Sequence, residues 1–178
     1  MADFPSPAPD FSKPLDALRA CHQRIRMQCE TLRKIVEHMS THGCDDEARA
    51  AAANVMRYFD TAGRHHHEDE DEDLLPRMMT AATLGRGSRL TRLVAEVATE
   101  HREIDRLWTD LRAALQEISA GENIPLDALH VDRFAKLCQS HIVSEEANVL
   151  PLAEMLLSQA DLAEIGAAMA QRRGIGAR

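Results

Sequence analysis

Aromatic residues make up only 3% of this chain, and glycine and proline are sparse, at 8 and 7 of 178 residues. Few aromatic and β-branched side chains argue against strands, whereas abundant Ala, Leu, Arg and Glu favour helices. An all-α protein is therefore expected. Clustered basic residues are also missing. The formal net charge is −8, which argues against the Lys- and Arg-rich face that nucleic acid requires and against attraction to an anionic membrane. No apolar run approaches the length of a membrane span. The four cysteines, Cys21, Cys29, Cys44 and Cys138, include no CxxC pair, and no apolar leader segment is present. A reduced, cytoplasmic protein is the expectation.

With 44% hydrophobic residues, the chain is long enough for one sizeable core. Its first residues, "MADFPSPAPDF", alternate prolines that deny helical hydrogen bonds, so residues 1–12 read as a flexible arm with Ser12 capping the first helix. From Lys13 to about Ser40, Leu15, Leu18, Ile25, Leu32, Ile35 and Val36 recur at helical intervals. "THGCDD" breaks that pattern and its acidic pair opens a second helix, weakened a little by Gly63 and running to the "LLP" at 74–76. After the loop "LGRGS", Ser88 is a cap, residues 89–120 form a third helix, and Gly121 closes it. Pro125 suits the first turn of a fourth helix that reaches about Leu157. A short fifth helix, Asp161 to Ala170, precedes a tail that frays. Long helices with short connections predict an up-down-up-down four-helix bundle over 13–158, followed by a short helix and tail over 159–178.

Two strings decide the chemistry. "HHEDEDEDLLP" at 66–76 and "HIVSEEANVLP" at 141–151 share His at the first place, Glu at the fifth, and Leu-Pro at the end. The helices before them match as well: "LRACHQRIRMQCETL" at 18–32 lies over "VATEHREIDRLWTDL" at 97–111, aligning His22 with His101. The first offset is 75 residues and the second 79, a difference assigned to a longer "STHGCDD" connection in the first copy. The chain thus reads as one helical hairpin written twice.

Side chains four apart on a helix share a face, so His66 with Glu70, and His141 with Glu145, can each reach one centre. Packed against each other, the two hairpins would bring His22, His66, Glu70, His101, His141 and Glu145 together in the core. Imidazole nitrogen with carboxylate oxygen suits iron, manganese or zinc better than calcium or magnesium. Two bridging carboxylates and two imidazoles per ion give four protein ligands each. An oxo or hydroxo bridge makes five and leaves room for an added small molecule.

A lone His on the first and third helices, HxxxE on the second and fourth, and the endings E-x-x-x-L-L-P and E-x-x-x-V-L-P resemble the hemerythrin-like (HHE) domain over about residues 15–157. The resemblance implies a four-helix bundle with a non-haem di-iron centre held by those six residues. Oxygen-carrying hemerythrins place a further His one turn before the position of His101, and Val97 stands there. Either one iron loses a ligand, or Asp105, one turn after His101, replaces it.

The remaining polar residues have plainer expectations. Glu68, Asp71 and Glu72 read as a solvated face. Asp69 and Asp73, flanking the ligand face, are candidates to accept hydrogen bonds from ligand imidazoles. His65 and His67 point about 100° to either side of His66 and read as solvent-facing or interhelical. His38, His42 and His130 are placed near helix ends or loops, and Cys138, Trp108 and the methionines in the core.

The leading functional expectation is a non-enzymatic di-iron module that takes a small diatomic or oxygen-derived ligand, such as oxygen or nitric oxide, for sensing, scavenging or carriage. The alternatives are a di-iron enzyme reducing peroxide or nitric oxide, or an iron donor in iron-sulfur centre repair, and a purely structural helical module. No nucleic acid or membrane is expected among its partners, and the sequence names no protein partner.

Overall fold

A computed structural model of the protein describes residues 10–82 and 87–175. Among the described residues every regular element is helical and there is no strand. Among these residues no helix is long and apolar enough to cross a membrane. Residues 1–9 of the expected arm and 176–178 of the expected tail lie outside the described residues.

The first helix, Pro14–His42, starts with Pro14 in its first turn, where the missing N–H costs nothing, and stops at Gly43 with φ +72°. Ser12 does not cap it: the capping position is Lys13, and no side chain fills that role. Asp45 caps the second helix by accepting the Ala48 N–H at 2.9 Å. That helix runs continuously over 46–81, but it widens into π turns at Phe59–Gly63 and Asp69–Leu74. Gly63 is buried in the first π turn, where even a Cβ would stand 3.1 Å from the Phe59 ring.

The third helix, Gly87–Ala120, begins one residue before Ser88, whose side chain lies outside the described residues, and closes at Gly121 with φ +102°. Pro125 falls before the fourth helix rather than in its first turn. The helix begins at Ala128 because Asp127 caps it, accepting from Leu129 N at 2.8 Å and His130 N at 3.3 Å. It continues through a π turn at Glu145–Val149 to Leu156. Ser158 and Asp161 form a reciprocal capping box, so the fifth helix starts earlier than expected and spans Gln159–Arg172.

The four-residue offset has a different origin from the one expected. The connection is shorter in the first copy, residues 43–45, than in the second, residues 121–127, and the first copy's extra length is helix before His66. The first and fourth helices pack together, as do the second and third, and each also touches its sequence neighbour.

Two apolar clusters result. One gathers Ile25, Leu32, Val55, Phe59, Ile104, Leu111, Phe134 and Ile142; the other gathers Leu18, Leu74, Met78, Val97, Leu150, Ile165 and Met169. Trp108 packs half-buried on the first cluster, and its indole N–H donates to Asp60 at 3.1 Å. The methionines divide: Met78 and Met169 are fully buried, whereas Met27, Met79 and Met155 are exposed.

Candidate metal centre

On all four long helices the chain changes from one apolar cluster to the other across a buried polar residue. His22 lies between Leu18 and Ile25, the His66–Glu70 pair between Phe59 and Leu74, His101 between Val97 and Ile104, and the His141–Glu145 pair between Cys138 and Val149. These six residues form a polar belt across the core, none more than 2% exposed.

The two carboxylates sit between the imidazoles. Glu70 Oε1 is 4.0 Å from His22 Nε2, while its Oε2 is 3.6 Å from His66 Nε2 and 3.3 Å from His101 Nε2. Glu145 Oε2 is 3.2 Å from His22 Nε2, while its Oε1 is 3.3 Å from His141 Nε2 and 3.9 Å from His101 Nε2. Two four-residue groups suited to a cation follow, His22/His66/Glu70/Glu145 and Glu70/His101/His141/Glu145, each with its ligand atoms within 4.8 Å of one another. Both groups contain both glutamates.

Glu70 is the second residue of its π turn and Glu145 the first of its own. Each π turn precedes a proline, Pro76 or Pro151, whose ring would clash with the carbonyl four residues back in a regular α-helix. Widening the helix there accommodates the proline, and π turns are frequent where a functional side chain must be re-aimed.

Seven buried nitrogen and oxygen atoms of this belt have no hydrogen-bond partner: Nε2 of His22, both ring nitrogens of His66, and all four carboxylate oxygens of Glu70 and Glu145. An unpaired buried polar atom costs about 1–3 kcal/mol, more if charged, so such a concentration is untenable unless something else satisfies it. Cations bound between the glutamates would do so, and the donor set of imidazoles and carboxylates fits first-row transition ions.

The charges of the belt are divided unevenly. Burial, reinforced by the neighbouring Glu145 carboxylate, pushes the Glu70 pKa up to about 8. Burial would do the same to Glu145, but His22, His141 and His101 outweigh it and hold that carboxyl below its ordinary value. Burial works against charge on His101, yet Asp71 and Glu70 raise its pKa to about 10. Burial likewise opposes charge on His22, and Glu145, Glu70 and Glu146 again prevail and raise it. His66 is held well below the ordinary histidine value by burial and by the surrounding imidazoles.

Three of the four imidazoles are oriented through Nδ1. His22 Nδ1 meets Glu146 Oε1 at 3.1 Å, His101 Nδ1 meets Asp71 Oδ1 at 3.0 Å, and His141 Nδ1 meets Glu100 Oε2 at 2.7 Å. A carboxylate behind a ligand imidazole fixes its tautomer and strengthens its donor nitrogen. Asp71 is exposed, as expected of a solvated face, but it also supports the His101 ring. The repeat carried a signal for it, because Asp71 and Glu146 occupy the same sixth place in the two eleven-residue strings. Glu100 carried none: Cys21 stands at its matching place. His66, the counterpart of His141, is the one of the four with no acceptor at Nδ1.

Asp69 and Asp73 do not support the imidazoles. Asp69, fully buried, is clamped by Arg172 and by Arg173, the latter at 2.6 Å, while Asp73 pairs with Arg172 at 2.8 Å and Arg77 at 3.3 Å. The fifth helix, packed through Ile165 and Met169, delivers Arg172 and Arg173, while Arg77 comes from the second helix itself. Arg172 also reaches Glu68 at 3.6 Å and Glu72 at 2.9 Å, so the acidic run neutralises a basic helix end and only partly faces solvent. Asp105 joins neither group; its carboxylate faces His67 and is 69% exposed. Val97 is buried in the second apolar cluster. His67 is interhelical, and His38 bonds Asp45 at 2.9 Å near the surface. His130 is in the first turn of the fourth helix, with Nε2 buried and unpartnered.

A cavity of about 320 Å³ opens beside the belt, walled by Phe59, Ile104, Trp108 and Ile142, with His67 and His141 on its lining. Cys138 also lines it and is buried, as expected for a core thiol.

Residues 13–153 match the sequence model of the family described as Hemerythrin, the hemerythrin HHE cation binding domain. An uncharacterized protein of Haemophilus influenzae (strain ATCC 51907 / DSM 11121 / KW20 / Rd) is 26% identical over 168 residues, covering 93% of this chain and 92% of that protein.

Proposed function

The chain belongs to the hemerythrin HHE cation-binding family, and from that premise we propose that it is a cytoplasmic non-haem di-iron protein that binds oxygen, nitric oxide or a related small ligand for sensing, scavenging or carriage. In this reading the helices form an up-down-up-down bundle. His22 and His66 would hold one iron and His101 and His141 the other, with Glu70 and Glu145 shared by both groups. The observation that carries it is the pair of cation-sized groups sharing both glutamates, where seven buried polar atoms lack any other partner.

A bound iron pair supplies redox-active positions at which a small ligand can be held. The chain's own contribution is orientation and shielding: Glu146, Asp71 and Glu100 hold three imidazoles from behind, and apolar clusters flank the belt, with the cavity as the way in. Four imidazoles against two carboxylates make a less negative shell than carboxylate-rich di-iron sites, which favours retention of the ferrous pair and reversible binding.

The cavity favours a second reading. At about 320 Å³ it is roughly ten times the ~30 Å³ that one water occupies in the liquid, more room than a diatomic molecule needs. A di-iron enzyme that reduces a peroxide or nitric oxide with an external electron donor would use such space.

The test is to purify the protein, measure iron, manganese and zinc, and record visible spectra of the reduced form before and after oxygen, nitric oxide and peroxide. About two irons per chain and a stoichiometric, reversible spectral change support the first reading. Multiple turnovers with peroxide or nitric oxide support the second. Zinc as the sole metal removes both.

A further inference from the structure

Each half of the belt has two imidazoles of its own, and a fifth, His67, joins a cation-sized group with only one half, although its ring is also 5.8 Å from that of His66. The His67 ring stacks on that of His101, with centroids 4.1 Å apart and planes 19° apart, and stands edge-on to His141 at 6.1 Å. Ligand atoms of His67, His101 and His141 all lie within 4.8 Å of one another, the same closeness that defines the two mixed groups. The side chain is only 15% exposed, and Asp105 Oδ1 faces its Nδ1 at 3.3 Å. A neutral imidazole that keeps its proton on Nδ1, toward a carboxylate, leaves its lone pair on Nε2.

The duplication makes this one-sided. The residue matching His67 in the second string is Ile142, a buried side chain of the apolar core. The residues one turn before the lone histidines are apolar in both copies, Leu18 and Val97. No other histidine ring is recorded in contact with both His101 and His141.

We propose that His67 is the third imidazole of the metal position built by His101 and His141, positioned there by Asp105, so that the centre has one three-imidazole and one two-imidazole position. The inference rests on the two-cation reading above and deepens it. More nitrogen donors raise the affinity of that position for a first-row divalent ion, so it fills first and empties last. Although His67 and His141 line the cavity, a third imidazole fills the place left for an added ligand at this position, so a small ligand would be taken at the two-imidazole one.

Cobalt(II) titration of the metal-free protein, followed by its visible absorption and by calorimetry, tests this. The wild type should load two ions in unequal steps, and His67→Ala should weaken the tighter step at least tenfold while sparing the other. Asp105→Asn should weaken the same step less, and added imidazole should restore it in His67→Ala. His65→Ala is the control and should change nothing. Two wild-type steps preserved in His67→Ala overturn the proposal. Should that variant misfold, the wild type still decides: with ring-15N-labelled histidine, five paramagnetically shifted imidazoles in the cobalt form support the assignment and four overturn it. A wild type that binds fewer than two ions fails at the earlier step, the two-cation reading itself.

Discussion

Glu146 holds the ring of His22 through Nδ1 at 3.1 Å, although the two residues belong to different copies of the repeated hairpin. The relationship is reciprocal, since Asp71 of the first copy holds His101 of the second at 3.0 Å. Each hairpin thus supplies a lone imidazole to the centre and the acid that steadies the other hairpin's imidazole. Neither copy completes its own site.

The exchange predicts the cost of removing those acids. Glu146→Gln and Asp71→Asn should each leave two cations per chain but weaken their retention by about 10- to 100-fold. Release to a competing chelator measures this. Unchanged release would show that the two contacts do not support ligands.

Removing the shared carboxylates should act on both positions together. Glu70→Ala combined with Glu145→Ala should abolish stoichiometric cation binding, read by elemental analysis after desalting. A double variant that still carries two ions would exclude bridging by these residues.

The clamp on Asp69 is a separate matter of stability. Arg172→Ala with Arg173→Ala leaves a buried carboxylate without its partners, which costs about 3–5 kcal/mol. Denaturant unfolding should report that loss, and adding Asp69→Asn to the pair should recover part of it. If the double change costs nothing, the fifth helix does not brace the ligand-bearing helix.

Acidity sets the fourth expectation. With no cation bound, neighbouring carboxylates outweigh the burial cost on His101 and His22, raising both values, that of His101 from 6.5 to about 10. A raised value means that the stabilisation of the metal-free fold is complete below the ordinary histidine value and is lost as pH climbs through about 10. A cation must displace those protons, so its affinity should rise with pH across that window, about tenfold per pH unit for each proton displaced. The gap in Tm between loaded and metal-free protein should accordingly widen from pH 6.5 toward pH 10. A gap that narrows over this range would contradict the assignment of protons to these rings.

What could be read from the sequence was whatever the duplication wrote twice. The convergence of His22, His66, Glu70, His101, His141 and Glu145 was legible because matched positions selected them from nine histidines and a long acidic run. Asp71 was legible in principle, as the partner of Glu146 in the alignment. Glu100 and His67 were not, because their matching places hold Cys21 and Ile142, so only the packing of the third helix on the fourth, and of the second on both, reveals them. The clamp of Arg172 and Arg173 on Asp69 joins residues about a hundred positions apart, with no periodicity to announce it. Helix starts slipped where two plausible signals competed: Asp127 outweighed Pro125 because a side-chain oxygen that satisfies two free N–H groups fixes the first turn more firmly than a preset φ.

The belt of imidazoles and carboxylates crosses each long helix and divides the greasy interior into two spools. Ions seated there act as a rivet between the spools, and melting is then a single event. With the rivet drawn, the seam is a buried polar layer whose carboxylate oxygens lack partners, and its hold on the two halves is weaker. Metal supply would thus govern how firmly the two halves of this small protein hold together.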